Sequence, residues 1–284
     1  MNSSYAYVNG IRMYFEIHGD EPTGNIPLVL IHGGGSTIQT TFGRILPLLA
    51  KTRTIIAIEM QAHGRTDDRD TPSSFEQDAD DTASLIKSIL DAFPDISPTI
   101  NKFDFLGFSN GGSDAMQVGI RHPELVNKLI IASAFYKREG LLPGFFEGMQ
   151  HASLDNMPAD LKNAYLKEME EFISGTETDN SKVKKLAGER LIKMFIRDKT
   201  RMLEFKDWKD EDLKSIKAPT LLISGDKDVA TLEHTVKMSQ LISDCRLAIL
   251  PGGHGDYLGE ITTLKSGKWK QKWVVKLIEE FLKT

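Results

Sequence analysis

The sequence holds a single cysteine, Cys245, among 284 residues. That excludes an internal disulfide and a multi-cysteine metal site, and it points to a buried, inert thiol. Long apolar runs are also missing. Stretches such as Leu28 to Ile31 and Leu129 to Ala132 have strand length, far short of the roughly 18 residues a membrane span requires. The opening MNSSYAYVNG lacks a basic segment followed by an apolar run and a small-residue cleavage site, so no secretory signal is visible and a cytoplasmic location is expected. Nor is there an excess of basic charge. Lys and Arg number 35 against 40 Asp and Glu, a net charge of -5, which leaves no footprint for nucleic acid or an anionic membrane. Internal repeats and low-complexity tracts are absent too. What is present is an ordinary globular balance, 40% hydrophobic and 26% charged, in a chain long enough for one large α/β domain or a core with a smaller companion.

Through the first half, apolar runs of strand length alternate with helix-length amphipathic stretches, the pattern of a mostly parallel sheet covered by helices on both faces. The segment Tyr5 to His18 differs. Asn9-Gly10 between two β-rich stretches predicts a tight hairpin and an antiparallel pair. Strands are expected at Pro27 to His32, Thr54 to Glu59, Lys102 to Phe108 and Lys128 to Ser133. Helices are expected at Thr40 to Ala50, Ser74 to Phe93 and Gly111 to His122, the second capped by Ser73 or Ser74. From Tyr136 to Lys217 strand-like runs disappear and the chain becomes helical, with 16 basic and 16 acidic residues. Strand signals return at Pro219 to Ser224 and Arg246 to Leu250, a helix is read at Leu232 to Ile242, and Trp269 to Leu282 reads as a terminal amphipathic helix.

Gly107-Phe108-Ser109-Asn110-Gly111 is the one Gly-x-Ser-x-Gly in the sequence. A strand-like run precedes it and a helix-starting run follows, which is the setting of a nucleophile elbow, where a sharp turn exposes the serine hydroxyl and small residues let the backbones approach. His32-Gly33-Gly34-Gly35-Ser36 directly follows an apolar strand. Its consecutive glycines leave backbone N–H groups free to converge on an oxyanion, and it fits neither phosphate-binding glycine pattern. The favoured donors are the N–H groups of Gly34 and of Asn110, with Gly35 a close competitor for the first.

A serine hydroxyl is a poor nucleophile at neutral pH, so a base must accept its proton and a carboxylate should orient that base. With the order serine, acid, base, His234 and His254 remain after the candidate acids Asp226 and Asp228. His254 follows a strand end in Pro251-Gly252-Gly253-His254-Gly255. His234 falls inside an expected helix and is read as an ordinary surface residue. The acid comes from Ser224-Gly225-Asp226-Lys227-Asp228, one aspartate holding the imidazole and the other serving the turn. With three glycines around it, His254 is expected to need the substrate or the helical segment to fix its position.

Together these stretches resemble the α/β-hydrolase superfamily, specifically its capped, esterase-like serine hydrolases. The likeness extends to Glu59-Met60-Gln61-Ala62-His63-Gly64-Arg65-Thr66 and to Arg121-His122-Pro123-Glu124-Leu125-Val126. In the former, Glu59 replaces a common aspartate and His63 a common glycine. The resemblance implies an α/β-hydrolase core formed by residues 1–135 and 218–284, a mostly parallel sheet flanked by helices, with residues 136–217 as a helical cap. It also selects Asp228, three residues after the glycine of its loop, as the acid. Ser109, His254 and Asp228 would then form a triad that cleaves a small, fairly apolar ester through an acyl-enzyme, without metal or organic cofactor. Phe145, Phe146, Met149, Met157, Met169, Met194, Phe195 and Met202 of the cap are candidates for lining an apolar pocket or packing its core. Three alternatives remain open: a carbon-carbon bond hydrolase of vinylogous diketones, a cofactor-free perhydrolase, and a non-catalytic ligand-binding receptor. The first typically has an aromatic after the catalytic histidine, where this chain has Gly255. A small-molecule substrate is expected, with neither nucleic acid nor membrane as partner.

Overall fold

The structure, a computed structural model, describes residues 2–19, 24–96, 102–266 and 269–283. Among them, eight strands form one sheet in the order β1-β2-β4-β3-β5-β6-β7-β8. The hairpin β1 (Asn2–Val8) and β2 (Ile11–His18) turns at Asn9 and Gly10, whose φ of 45° and 85° give the left-handed pair such a turn requires. β2 adds antiparallel to β4 (Ile55–Ile58). The strands β3 (Leu28–Ile31), β4, β5 (Phe103–Phe108), β6 (Val126–Ala132), β7 (Thr220–Lys227) and β8 (Cys245–Gly253) then run parallel.

β3, β4 and β5 are buried at every residue, because helices cover both faces of the sheet. Alternate side chains serve opposite cores. Val29, Ile31, Ile56, Ile58, Phe103 and Phe105 face α3 (Phe75–Ala92) and α4 (Asn110–Arg121), whereas Leu28, Leu30, Ile55, Ala57, Leu106 and Phe108 face α1 (Ile38–Phe42), α2 (Leu46–Leu49) and the terminal helix described below. Ser74, with its side chain on the Gln77 N–H, caps α3. The single helix expected at Thr40 to Ala50 is instead two. A reciprocal Thr37–Thr40 capping box starts α1 earlier, and Pro47, which cannot continue a helix from the preceding turn, opens α2.

Between β6 and β7 lie α5 (Phe145–His151), α6 (Ala159–Ile173), α7 (Asn180–Glu204) and α8 (Asp210–Ser215). Tyr165, Met169, Ile173, Val183, Ala187, Leu191 and Met194 give α6 and α7 a core of their own. The chain after α7 rejoins the main core, where Phe205 and Trp208 meet Phe75 and Phe135 edge to face. α9 (Leu232–Leu241) links β7 to β8, and α10 (Trp269–Lys283) closes the fold, its Val274, Ile278 and Phe281 buried against the sheet. Cys245, at the start of β8, is half-buried rather than enclosed, and burial pushes its thiol up to about 11. Among the described residues no helix is long and apolar enough to cross a membrane.

The tightest packing is where β5 turns into α4. A Cβ on Gly107 would stand 1.9 Å from the Gly111 carbonyl oxygen, and one on Gly111 would stand 2.2 Å from that of Ile31. Both obstacles are backbone, which cannot yield as a flexible side chain does. Gly111→Ala is therefore expected to destabilise the protein by about 3 kcal/mol, read as a fall in Tm of about 6–12 °C. Gly188→Ala, in α7 with open space around it, should leave Tm equal or slightly higher. Equal melting of the Gly111 variant and the wild type would contradict this account of the turn.

Candidate active site

Ser109, Asp228 and His254 each stand immediately after the last residue of a strand, β5, β7 and β8 respectively, and the parallel direction brings all three ends to one edge of the sheet. Ser109 has φ 54° and ψ -120°, a backbone state that L-residues rarely adopt. It is held there by a 2.8 Å hydrogen bond from its N–H to the Ala132 carbonyl and by the glycine contacts just described. The Ser109 hydroxyl donates to His254 Nε2 across 3.0 Å, and His254 Nδ1–H donates to Asp228 Oδ1 across 2.6 Å.

Burial alone would raise the Asp228 carboxyl. Hydrogen bonds from His254, from the Ser133 hydroxyl and from the Gly225 N–H outweigh it and hold the group down at about 2. The Val229 N–H adds a bond of 2.7 Å to Oδ1. Asp228 is thus an anion throughout the neutral range and fixes the His254 tautomer with its free nitrogen toward Ser109. Asp226 does the turn's work instead, accepting the Gly252 N–H at 2.7 Å.

His254 is braced from within the core, by contacts that its flanking glycines do not announce. Its ring lies 4.7 Å from that of Phe108, the Gly253 N–H is tied to Asp256 at 2.7 Å, and Gly255, at φ 78°, is backed by Phe108 and Glu260. His234 differs from expectation. It is buried, not at the surface, stacked on Tyr136 at 4.7 Å with Nε2 accepting the Tyr136 N–H, and burial pushes it down to about 4. It serves packing far along the chain from the elbow.

Gly34 and Asn110 line one pocket together with Ser109. No hydrogen bond to either backbone N–H is found among the described residues. The Gly35 N–H, by contrast, is taken by the carboxylate of Asp198 from α7. The pocket has a volume of about 280 Å³ and is walled from the insertion by Phe145, Met149, Met157, Phe195 and Met202. Of the other candidates for this role, Met169 and Met194 pack inside the insertion, and Phe146 stacks beneath Arg138. A roomier groove of about 580 Å³, lined by Tyr5, Arg12, Phe172 and Arg190 among others, is bordered by none of Ser109, His254 and Asp228.

Sequence reasoning missed four residues. Ser133, itself at φ 53°, donates a hydrogen bond from its hydroxyl to Asp228 and meets the Tyr257 hydroxyl at 2.6 Å. Asp198 reaches the glycine loop from the insertion, and His63 meets Asp198 at 3.0 Å. The departure of His63 from the common glycine was the one local signal of this last pair.

The serine aminopeptidase S33 family of hydrolases matches residues 25–261 of the chain. The 2-hydroxy-6-oxo-2,4-heptadienoate hydrolase of Pseudomonas putida is 24% identical over 283 residues, covering 93% of this chain and 91% of its own length. Serine hydrolase BPHL of Mus musculus is 24% identical over 265 residues, 89% of this chain and 80% of its own. The crystal structure of the enol-lactonase from Burkholderia xenovorans LB400 covers 99% of this chain and 100% of that one with a TM-score of 0.72 at 17% identity, a likeness of fold. With its α/β-hydrolase fold and a match across most of its length, the chain belongs to the serine aminopeptidase S33 family and is a serine hydrolase of the α/β-hydrolase superfamily.

Proposed function

We propose that the protein hydrolyses a small, largely apolar carboxylic ester through an acyl-enzyme on Ser109. The observation that carries this reading is the unbroken hydrogen-bond line from Ser109 through His254 to Asp228 at the wall of an apolar pocket. Ser109 Oγ attacks the ester carbonyl while His254 Nε2 takes its proton, and the imidazolium so formed is stabilised by Asp228. The N–H groups of Gly34 and Asn110 receive the negative charge that develops on the carbonyl oxygen. Collapse expels the alcohol, protonated by His254, and the same imidazole then draws a proton from the water that releases the acid. Residues 136–217 act as a cap that sets the acyl side of the pocket.

A second reading is carbon-carbon bond hydrolysis, favoured by the name of the Pseudomonas putida relative. Two features weigh toward the ester. Gly255, at φ 78° and with Phe108 2.8 Å from any Cβ, leaves no room for an aromatic after His254. The dienoate in that relative's name carries a carboxylate, whereas the charged side chains on this pocket are Asp198, an anion, and Lys199, whose ammonium is engaged by the Gln150 and Ala152 carbonyls.

Ser109→Ala should abolish turnover with the fold intact. Asp228→Asn should lower kcat about ten-thousandfold, whereas Asp226→Asn should stay within about threefold of wild type; steady-state kinetics that reverse this ranking would exchange the two roles. Because the base must be neutral, kcat/KM should fall on acidification, and a profile flat through the histidine range would contradict its role. Across a series of p-nitrophenyl esters, kcat/KM should peak at about two to four acyl carbons in so small a cavity and exceed that for a ring-fission dienoate. Preference for the dienoate would establish the second reading.

A further inference from the structure

The three consecutive glycines in the loop after β3 carry no side chains to fix it, and Gly35 sits at φ 66°. Its shape is imposed from outside. The Gly33 N–H donates to Thr41 Oγ1 at 3.2 Å, the Gly35 N–H to Asp198, and Thr37 Oγ1 to Glu168 of α6 at 2.7 Å. Of the three consecutive glycine N–H groups the outer two are tied, and only the middle one, that of Gly34, has no partner among the described residues. The side-chain amide of Asn110 lies against Gly34, within 2.3 Å of where a Cβ would stand, and 3.5 Å from Asp198 Oδ1.

A carboxylate beside an oxyanion hole would oppose the charge developing there unless it is neutralised. Here two cations do so. Arg201, one turn on along α7, grips both Asp198 and Asp78 of α3. His63 has acceptors on both ring nitrogens, the Gln61 carbonyl at 2.8 Å from Nδ1 and Asp198 Oδ2 at 3.0 Å from Nε2, and only the doubly protonated ring satisfies both. Burial would push this imidazole down, but the Asp198 charge and hydrogen bond outweigh it and the net direction is up. Facing the same ring are Arg201, Asp78 and His32, the last 4.9 Å away and kept neutral, pushed down to about 3 by burial and by His63. Neutral His32 is consistent with its contacts, Nδ1–H to the Gly33 carbonyl at 2.7 Å and Nε2 accepting the Met60 N–H at 3.2 Å.

We propose that Asp198 is a positioning residue of the oxyanion hole: held by protonated His63 and by Arg201, it takes the Gly35 N–H and so leaves the Gly34 N–H turned toward the carbonyl that Ser109 attacks. The inference rests on the triad reading above. It makes the hole depend on the insertion being seated, and it adds an alkaline limit. When His63 loses its proton, the remaining N–H stays on the Asp198 carboxylate, the Nδ1 lone pair is left facing the Gln61 carbonyl, and the Asp198 charge beside the hole is countered only by Arg201, which it shares with Asp78.

The test is steady-state hydrolysis of p-nitrophenyl acetate from pH 6 to 10 by the full chain, as wild type, Asp198→Ala, Asp198→Asn and Ser109→Ala, with Tm recorded for each. Asp198→Ala should lower kcat about 10- to 100-fold with KM within about threefold. The wild-type kcat should fall at alkaline pH, and Asp198→Asn, which has no charge to hold the His63 proton, should lack that fall. An Asp198→Ala kcat equal to wild type, or the same alkaline limb in wild type and Asp198→Asn, would overturn the inference. Should the alanine variant not fold, the profile of the asparagine variant decides alone. Turnover that requires Ser109 but ignores Asp198 overturns this inference only, whereas turnover retained by Ser109→Ala overturns the triad reading beneath it.

Discussion

The contact on which the rest of the structure depends is the crossing of β5 and α4, where Gly107 and Gly111 allow main chain to touch main chain. A helix that starts this close to the end of its own strand forces the intervening residue into a left-handed state, and that residue is Ser109. The strain lifts the hydroxyl above the sheet edge, at the one place where β3, β5, β7 and β8 all end. β5, β7 and β8 each contribute the residue just past their ends, so the parallel register, and not any property of the loops alone, brings Ser109, Asp228 and His254 into line.

The electrostatics form two layers. Beneath the imidazole, Asp228 is buried and fully hydrogen-bonded, with Ser133 and Tyr257 behind it, so its charge is kept where it can stabilise an imidazolium. Above the sheet, Asp198, His63, Arg201 and Asp78 join the insertion to the core through charges that balance one another. Buried ion pairs contribute little net stability because desolvation offsets their attraction. Their value in this position is geometric: they fix which glycine N–H of a featureless loop is left free. Glu168, pushed up to about 7 by burial and by Glu59, makes the neighbouring contact to Thr37.

The sequence was most legible where chemistry and local structure coincide. The Asn9-Gly10 hairpin, the strand alternation and the elbow around Ser109 all rest on neighbours in the chain, and each is found where the residues imply it. The choice between Asp226 and Asp228 was not settled by the residues themselves, because both sit in the same turn and differ only in which faces His254. Legibility failed where a partner comes from far away. Nothing near His234 announces Tyr136, nothing near His254 announces that Phe108 will brace its ring, and nothing near Asp198 announces Gly35, 163 residues distant. The break in the helix before Ala50 is itself local, since Pro47 stands at the start of α2.

In the proposed mechanism Ser109 is the nucleophile, activated through His254. Exposure of the full chain to a fluorophosphonate, followed by intact-mass analysis and peptide mapping, tests it most directly. A single adduct on Ser109, absent in His254→Ala over the same interval, is the result predicted. An unmodified Ser109 in the folded wild type, or labelling that is equally fast without His254, would contradict it.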